Sequence, residues 1–277
     1  MDYRLKVLII LITVISVAAI PIPAFSQAVI GARELSMGSV ATALPESDWS
    51  IFSNPAMISG THPGISFYGV RYYGLDELTD LAVALVIPSS IGSVALGAHR
   101  FGDDLYNESR LRLGYKHSYL GFHFGMVANY NHLAIGGGYG SAGALGLDVG
   151  IAAMILEGLW LGAKATNINQ PAYGEYANIR EELARDLSIG LSYQLSDLVL
   201  ISTEMVKDIR FPISYRAGFD ARILGGFRGR AGVTTEPVTF AGGFGLLSKS
   251  WTVNVGVQQH ENPLLGLSPA MDFRLSW

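Results

Sequence analysis

A chain of 277 residues that is 49% hydrophobic and only 15% charged is apolar for a soluble protein, yet after residue 26 it has no run long enough to cross a bilayer as a helix. The formal net charge of −4 provides no basic surface for nucleic acid, so no nucleic-acid partner is expected. The absence of cysteine excludes disulfides and a lipid on a processed N-terminal cysteine.

Residues 1–26 have the pattern of a secretory signal. Arg4 and Lys6 precede the apolar core Val7–Ile20, Pro21 and Pro23 break it, and Ala24-Phe25-Ser26 puts small residues where a signal peptidase reads. Cleavage there makes Gln27 the mature start and sends the chain out of the cytoplasm.

Residues 27–63 differ from all that follows. Gly31-Ala32-Arg33-Glu34-Leu35-Ser36-Met37-Gly38 is short of β-branched residues. Pro45-Glu46-Ser47-Asp48-Trp49 reads as a turn into a short helical turn, with Ser47 placed to cap it. Asn54-Pro55-Ala56 is a second turn, because a residue before proline avoids helix and asparagine tolerates turn geometry. A segment this short cannot fold alone and must pack on or inside something.

Gly31, Arg33, Met37-Gly38 and Asn54-Pro55-Ala56 in this order resemble the N-terminal hatch of the FadL-like superfamily of outer-membrane barrels, and most nearly its PorV/PorQ branch. The family usually has a glycine-alanine run after Met-Gly. Here Ser39-Val40-Ala41-Thr42 stands instead. The resemblance implies a 14-stranded barrel with an internal plug. It implies one of two activities: a channel or transporter for hydrophobic small molecules gated by its hatch, or a non-transporting interaction barrel that docks proteins of a type IX secretion system.

From residue 64 onward apolar stretches alternate with turn residues. Strands are expected near 64–73, 78–87, 91–100, 106–116, 119–131, 142–155, 159–167, 185–194, 198–206, 212–223, 227–235, 238–247, 251–259 and 268–277, about fourteen in all. Several divide cleanly by face, as period two requires. Ser109, Leu111, Leu113 and Tyr115 oppose Glu108, Arg110, Arg112 and Lys116. Ile213, Tyr215, Ala217 and Phe219 oppose Ser214, Arg216, Asp220 and Arg222. A soluble barrel would turn the apolar set inward. The signal segment, the aromatic strand ends and the width of a 14-stranded ring favour apolar-out. Parity agrees: tight connections are expected at Pro88-Ser89-Ser90, His117-Ser118, Glu157-Gly158, Ser196-Asp197, Gly225-Gly226 and Ser248-Lys249-Ser250. The longer ones, 135–141, 168–184 and 260–267, fall between the other strand ends.

The inward set carries Arg110, Arg112, Lys116, Arg216, Arg222, Arg228, Arg230 and Arg274, with Asp148, Asp220 and Asp272 among the acids. Mixed signs favour salt bridges that fix the plug over an anion-selective path. The chain ends Met271-Asp272-Phe273-Arg274-Leu275-Ser276-Trp277. Its terminal apolar face, Phe273, Leu275 and Trp277, is read as an interfacial girdle and as the signal to the barrel-assembly machinery.

No catalytic constellation emerges. The six histidines have no metal-ligand spacing, and no Gly-x-Ser-x-Gly elbow is present. Gly138-Tyr139-Gly140-Ser141-Ala142-Gly143 imitates a dinucleotide motif, but no helix follows it and it is read as an outer loop. Loop 168–184, rich in Tyr, Asn and Pro, suits contact with a ligand or partner.

The expectation is therefore an all-β protein: a transmembrane antiparallel β-barrel over 64–277 with a short hatch over 27–63 inside it. It should lie in the bacterial outer membrane after signal cleavage, without enzymatic activity, cofactor or metal. Its partners would be outer-membrane lipid, the assembly machinery, and a hydrophobic small molecule or secretion-system proteins.

Overall fold

A computed structural model describes residues 29–137, 140–176, 179–262 and 266–277. The signal segment 1–26 and the start at Gln27 lie outside the described residues. The strands are β1 (Gly64–Arg71), β2 (Thr79–Ser89), β3 (Gly92–Gly102), β4 (Tyr106–Tyr119), β5 (Phe122–Ile135), β6 (Gly140–Leu156) and β7 (Leu159–Ala165). After the short β8 (Ala172–Tyr176) and β9 (Ile179–Glu182) come β10 (Asp186–Ser196), β11 (Val199–Asp208), β12 (Ile213–Leu224) and β13 (Phe227–Thr235). The last are β14 (Val238–Leu247), β15 (Trp251–His260) and β16 (Leu267–Ser276). All but β8 and β9 form one closed antiparallel ring of fourteen strands, in which β7 pairs with β10 and β16 returns to β1.

The face division follows from register, since directly paired residues point the same way. At the closure, Phe67 pairs with Phe273 and Phe273 with Val253, one apolar row facing out. The next row, Tyr68, Asp272 and Asn254, faces in. On β4, Leu111 and Leu113 are more than half exposed, whereas Arg112 between them is buried. A water-soluble barrel has the opposite arrangement.

The bore is filled by residues 29–63. A five-residue helix α1 (Ala32–Ser36) packs on β13–β16, a 3-10 turn over Asp48–Phe52 on β1–β4, and a second over Pro55–Met57 on β4–β7. The Ser47 hydroxyl accepts from the Trp49 amide (3.2 Å), and the Asn54 side-chain Oδ1 accepts from the Ala56 amide (3.0 Å). Ser47 and Asn54 thus cap the two turns locally. Ile30, Leu35, Trp49, Ile51 and Ile58 of this segment share one apolar core with Tyr68, Val70, Val86 and Val127 of the wall.

Three expectations need correction. The β4–β5 turn is Leu120-Gly121, not His117-Ser118, because both strands run further and Tyr119 still pairs with Phe122. Leu120 and Gly121 hold φ of 49° and 82°, the mirror turn that matches strand twist, and leucine is a poor advertisement for it. In the same way β2 runs to Ser89, so its turn moves to Ser90-Ile91. Loop 168–184, read as a contact loop, carries the β8–β9 hairpin. Of the glycine-rich stretch, Gly138 and Tyr139 lie outside the described residues, while Gly140–Gly143 belong to β6 rather than to a loop.

Candidate functional site

The contacts between segment 29–63 and the wall are mostly charged or backbone-directed. Glu204 accepts the amides of Ala41 (2.8 Å) and Thr42 (2.6 Å) on one oxygen, and Arg216 (3.2 Å) on the other. Arg216 also donates to the Ser39 carbonyl (2.9 Å). Arg112 pairs with Asp148 (3.1 Å), donates to the Ile51 carbonyl (3.0 Å) and lies 5.4 Å over the Phe52 ring. Lys116 donates to the Ile58 carbonyl (2.7 Å). Asp48 takes Arg274 (3.2 Å) and Ser66 (2.7 Å). Each wall charge is thereby partnered, as a charge taken from water must be.

A carboxylate with three arginines lies further along β12 from Arg216, toward the tight turns. Asp220 meets Arg230 (3.0 Å) and Arg228 from the barrel and Arg33 (3.5 Å) from α1. Close by, α1 carries Glu34, which accepts from the Ser47 hydroxyl on one oxygen and, among the described residues, has no hydrogen-bond partner on the other. Burial pushes the Glu34 carboxyl up to about 7, against the pull of Arg33. Burial likewise raises Asp48, opposed by Arg274.

Small wall residues make the fit possible. A Cβ at Gly218 would stand 2.1 Å from the Met37 carbonyl oxygen, and one at Gly232 would stand 2.1 Å from the Met37 carbonyl carbon and the Gly38 nitrogen. Gly218 and Gly232 are themselves register partners, so two adjacent strands open one seat for fully buried Met37. Gly125 does the same for Pro55 and Ala56, and Gly150 for the Asn54 side chain.

Two cavities flank the plug. The end of the ring with longer connections holds an apolar one of about 290 Å³, lined by Leu35, Tyr72, Tyr73, Leu78, Phe101 and Pro237, with His260 and Gln258 on its polar edge. Tyr73 is held over it at φ 57°, its amide donating to Ser268 Oγ (3.0 Å) and its ring 4.4 Å from that of His260. The tight-turn end holds a polar cavity of about 280 Å³, lined by Arg33, Glu34, Asp48, Asp220, Asp272 and Arg274 among others.

The structure brings together the sequence-predicted Gly31, Arg33, Met37, Gly38, Asn54, Pro55 and Ala56 with Arg112, Lys116, Asp148, Arg216, Asp220, Arg228, Arg230, Asp272 and Arg274. Gly31 holds φ 116° with Glu34 and Trp49 against its missing Cβ, and the Gly38 carbonyl accepts from Thr234 (2.8 Å). Arg110 pairs with Glu108 (3.0 Å) at the longer-loop end, away from the plug. Arg222 shares the inward parity and still pairs in register with Arg228, but it stands exposed at the turn rim, just before the register shift in β12, and is not part of the buried network. Phe273 and Leu275 lie in the outward row, and Trp277, just past the end of β16, is exposed. Buried Glu34, the glycine seats and the apolar cavity are not singled out by the sequence reading. Glycines recurring at inward parity were the one available signal for the seats. Among the described residues no group of three His, Cys, Asp or Glu side chains is placed to hold a metal.

No family model and no curated protein sequence matches this chain. Solved structures do. The monoaromatic hydrocarbon channel CymD superposes with a TM-score of 0.66 at 12% identity, over 92% of this chain and 99% of that one. The Ralstonia pickettii toluene transporter TbuX gives 0.66 at 11%, over 89% and 98%. A Pseudomonas aeruginosa FadL homologue gives 0.56 at 11%, over 88% and 97%. This chain shares the closed-barrel fold of these three proteins.

Proposed function

We propose that this chain is an outer-membrane channel for small hydrophobic molecules, taken up at the longer-loop end and passed inward past a plug formed by residues 29–63. The apolar cavity of about 290 Å³ carries this reading. Its exposed wall is mainly apolar, with Ser39, Arg216, Thr234, Thr239, Gln258 and His260 as the polar part of the lining, and it lies between the barrel mouth and α1, where a hydrophobic compound leaving water would first be held. Three further observations support it: the apolar outer face, the polar filling of the bore, and a fold shared with proteins described as hydrocarbon channels or transporters. The strand ladder is continuous around the ring, and its register shifts in the wall fall only near the tight turns. The route out of the cavity therefore runs past the plug, whose displacement is the gate.

The test is calorimetric titration of toluene into the purified barrel in detergent, followed by permeation in liposomes. Saturable binding that disappears when the cavity is filled by Leu78→Trp is the expected result. No saturable binding by a barrel that still migrates as folded on a heat-modifiability gel would overturn the reading. Co-purification of secretion components from native membranes, with no bound hydrophobic compound, would favour the docking role instead.

A further inference from the structure

Resting on the channel reading for its purpose, we propose that the β1–β2 loop, residues 72–78, is a lid on the apolar cavity, latched shut by Tyr73 against Ser268 and His260. The loop has two faces. Tyr72, Tyr73 and Leu78 are half-buried and line the cavity, whereas Gly74, Leu75, Asp76 and Glu77 between them are exposed. A loop joining two neighbouring strands has no need to lean over the bore. The β3–β4 loop does not: its Asp103 accepts the amides of Leu105 (2.8 Å) and Tyr106 (3.0 Å), and Leu105 stands 71% exposed. The β1–β2 loop instead reaches beyond its own strands on both sides. The Tyr72 ring meets Phe101 of β3 edge-on, centroids 6.4 Å apart, and the Tyr73 ring lies 4.4 Å from that of His260 at the end of β15. Ser268 and His260 share the inward parity of Asp272 and Asn254. Two aromatic rings thus roof the inner side of five consecutive strands, β15, β16, β1, β2 and β3.

The latch is a closed set of three contacts. Tyr73 donates its amide to Ser268 Oγ (3.0 Å), Ser268 Oγ is bonded to His260 Nε2 (2.7 Å), and the His260 ring packs on the Tyr73 ring. Tyr73 makes them at φ 57°, where a Cβ crowds the backbone. A residue other than glycine stays there only when its surroundings hold it. Here the surroundings are the latch itself. Gly74 beside it, at φ 73° with nothing within 4 Å of its missing Cβ among the described residues, leaves the chain room to swing. The Arg71–Asp76 ion pair (2.9 Å) is exposed and stays within the hairpin, so it does not fasten the loop to the far strands. Tyr72 packs on the core shared by plug and wall and forms the hinge side. Backbone strain opposes the latch, which gives the lid two states. In one, Tyr73 is held left-handed against Ser268 and the cavity is roofed. In the other, Tyr73 is relaxed and the cavity faces the mouth. A hydrophobic compound enters in the second state and is retained in the first.

The chain has no cysteine, so one cysteine in the cavity reports access to it. Thr239→Cys, at a buried lining position, would be modified with a small charged methanethiosulfonate in detergent. The rate would be compared alone and combined with Ser268→Ala, Tyr73→Pro or Tyr73→Phe. Ser268→Ala removes the acceptor of the latch. Tyr73→Pro has no amide to donate and cannot hold a positive φ. Each should speed modification roughly tenfold, whereas Tyr73→Phe keeps ring and amide and should leave the rate unchanged. Ser36→Cys, fully buried on α1, is the control for the plug, and Ser268→Ala should not alter its rate. Equal rates at 239 in all four proteins would overturn the lid. Acceleration at 36 to match that at 239 would show that the plug had moved, and would overturn it too. No ligand is needed, so the outcome is separable from the channel reading. Saturable toluene binding with equal rates at 239 removes the lid and keeps the channel. Latch-dependent rates without toluene binding keep the lid and remove the channel.

Discussion

The Asp272 carboxylate, on the last strand, accepts a hydrogen bond at 2.7 Å from the amide of Ala32, 240 positions earlier in the chain. Its other oxygen accepts from Asn254 on the neighbouring strand (2.6 Å). The strand that closes the ring against β1 therefore also holds the first turn of α1. Barrel closure and plug seating share one residue.

Asp272→Ala removes both acceptors and leaves two buried donors unpaired, at about 1–3 kcal/mol each. The ring itself keeps its backbone ladder. The expected outcome is amide exchange over residues 31–38 faster by roughly 10–100-fold, with heat-modifiable migration of the barrel unchanged. Unchanged exchange would show that the plug does not depend on this anchor.

Gly218→Ala tests the seat of Met37. The new methyl would stand 2.1 Å from the Met37 carbonyl oxygen, and backbone on both sides leaves little to give way. The substitution should destabilise the plugged state by about 1–3 kcal/mol and raise single-channel conductance in planar bilayers. Gly174→Ala, which meets nothing within 4 Å, should change neither.

Glu34 makes seating of the plug pH-dependent. Burial raises its carboxyl from 4.5 to about 7, so the folded form holds the proton more tightly than the unfolded one. Seating is then strongest at the acid end of this window and weakens as pH rises through it, levelling off above about 7. Glu34→Gln should flatten that slope and strengthen seating at pH 8 by up to ~3 kcal/mol. Amide exchange over residues 31–38 at pH 5 and 8, corrected for intrinsic exchange, measures it. An identical slope in the variant would refute the assignment.

Filling the apolar cavity should act on ligand alone. Leu78→Trp is expected to weaken toluene binding by at least ~10-fold, worth about 1.4 kcal/mol, with thermal unfolding unchanged. Titration calorimetry beside a melting curve separates the two effects.

The two arginines Arg222 and Arg230 should behave oppositely although both have inward parity. Arg222 is exposed at the rim, and Arg222→Ala should cost within about 0.5 kcal/mol. The Arg230 side chain is 1% exposed and bound to Asp220 and Asn254. Arg230→Ala should cost up to about 3–5 kcal/mol, less whatever Arg33 and Arg228 retain on the shared carboxylate. Thermal melts of the two variants decide it.

Much of the ring was legible before any coordinates, because a strand writes its two environments into alternate residues. Leu111, Leu113 and Tyr115 against Arg110, Arg112 and Lys116 declared an apolar face and a charged one. The short and long connections then set strand parity. Asn54-Pro55 declared its turn through backbone sterics alone. Less was legible where the cue is a conformation rather than a composition. Leu120 looks like strand and is a turn. Arg222 keeps the parity of its strand but slips to the rim.

The amino-acid order alone divided each strand into an apolar and a charged face, since period-two patterning is local and survives without knowledge of neighbours, and the signal segment, aromatic strand ends and ring width then favoured apolar-out. It could not determine which interior groups would meet. Asp220 collects arginines from α1 and β13. Met37 sits between glycines of two strands. The apolar cavity draws Tyr73, Leu78, Phe101 and Pro237 from separate stretches of chain. Those meetings depend on how far each strand is sheared along its neighbour around the ring, a property of the closed barrel that no single segment encodes.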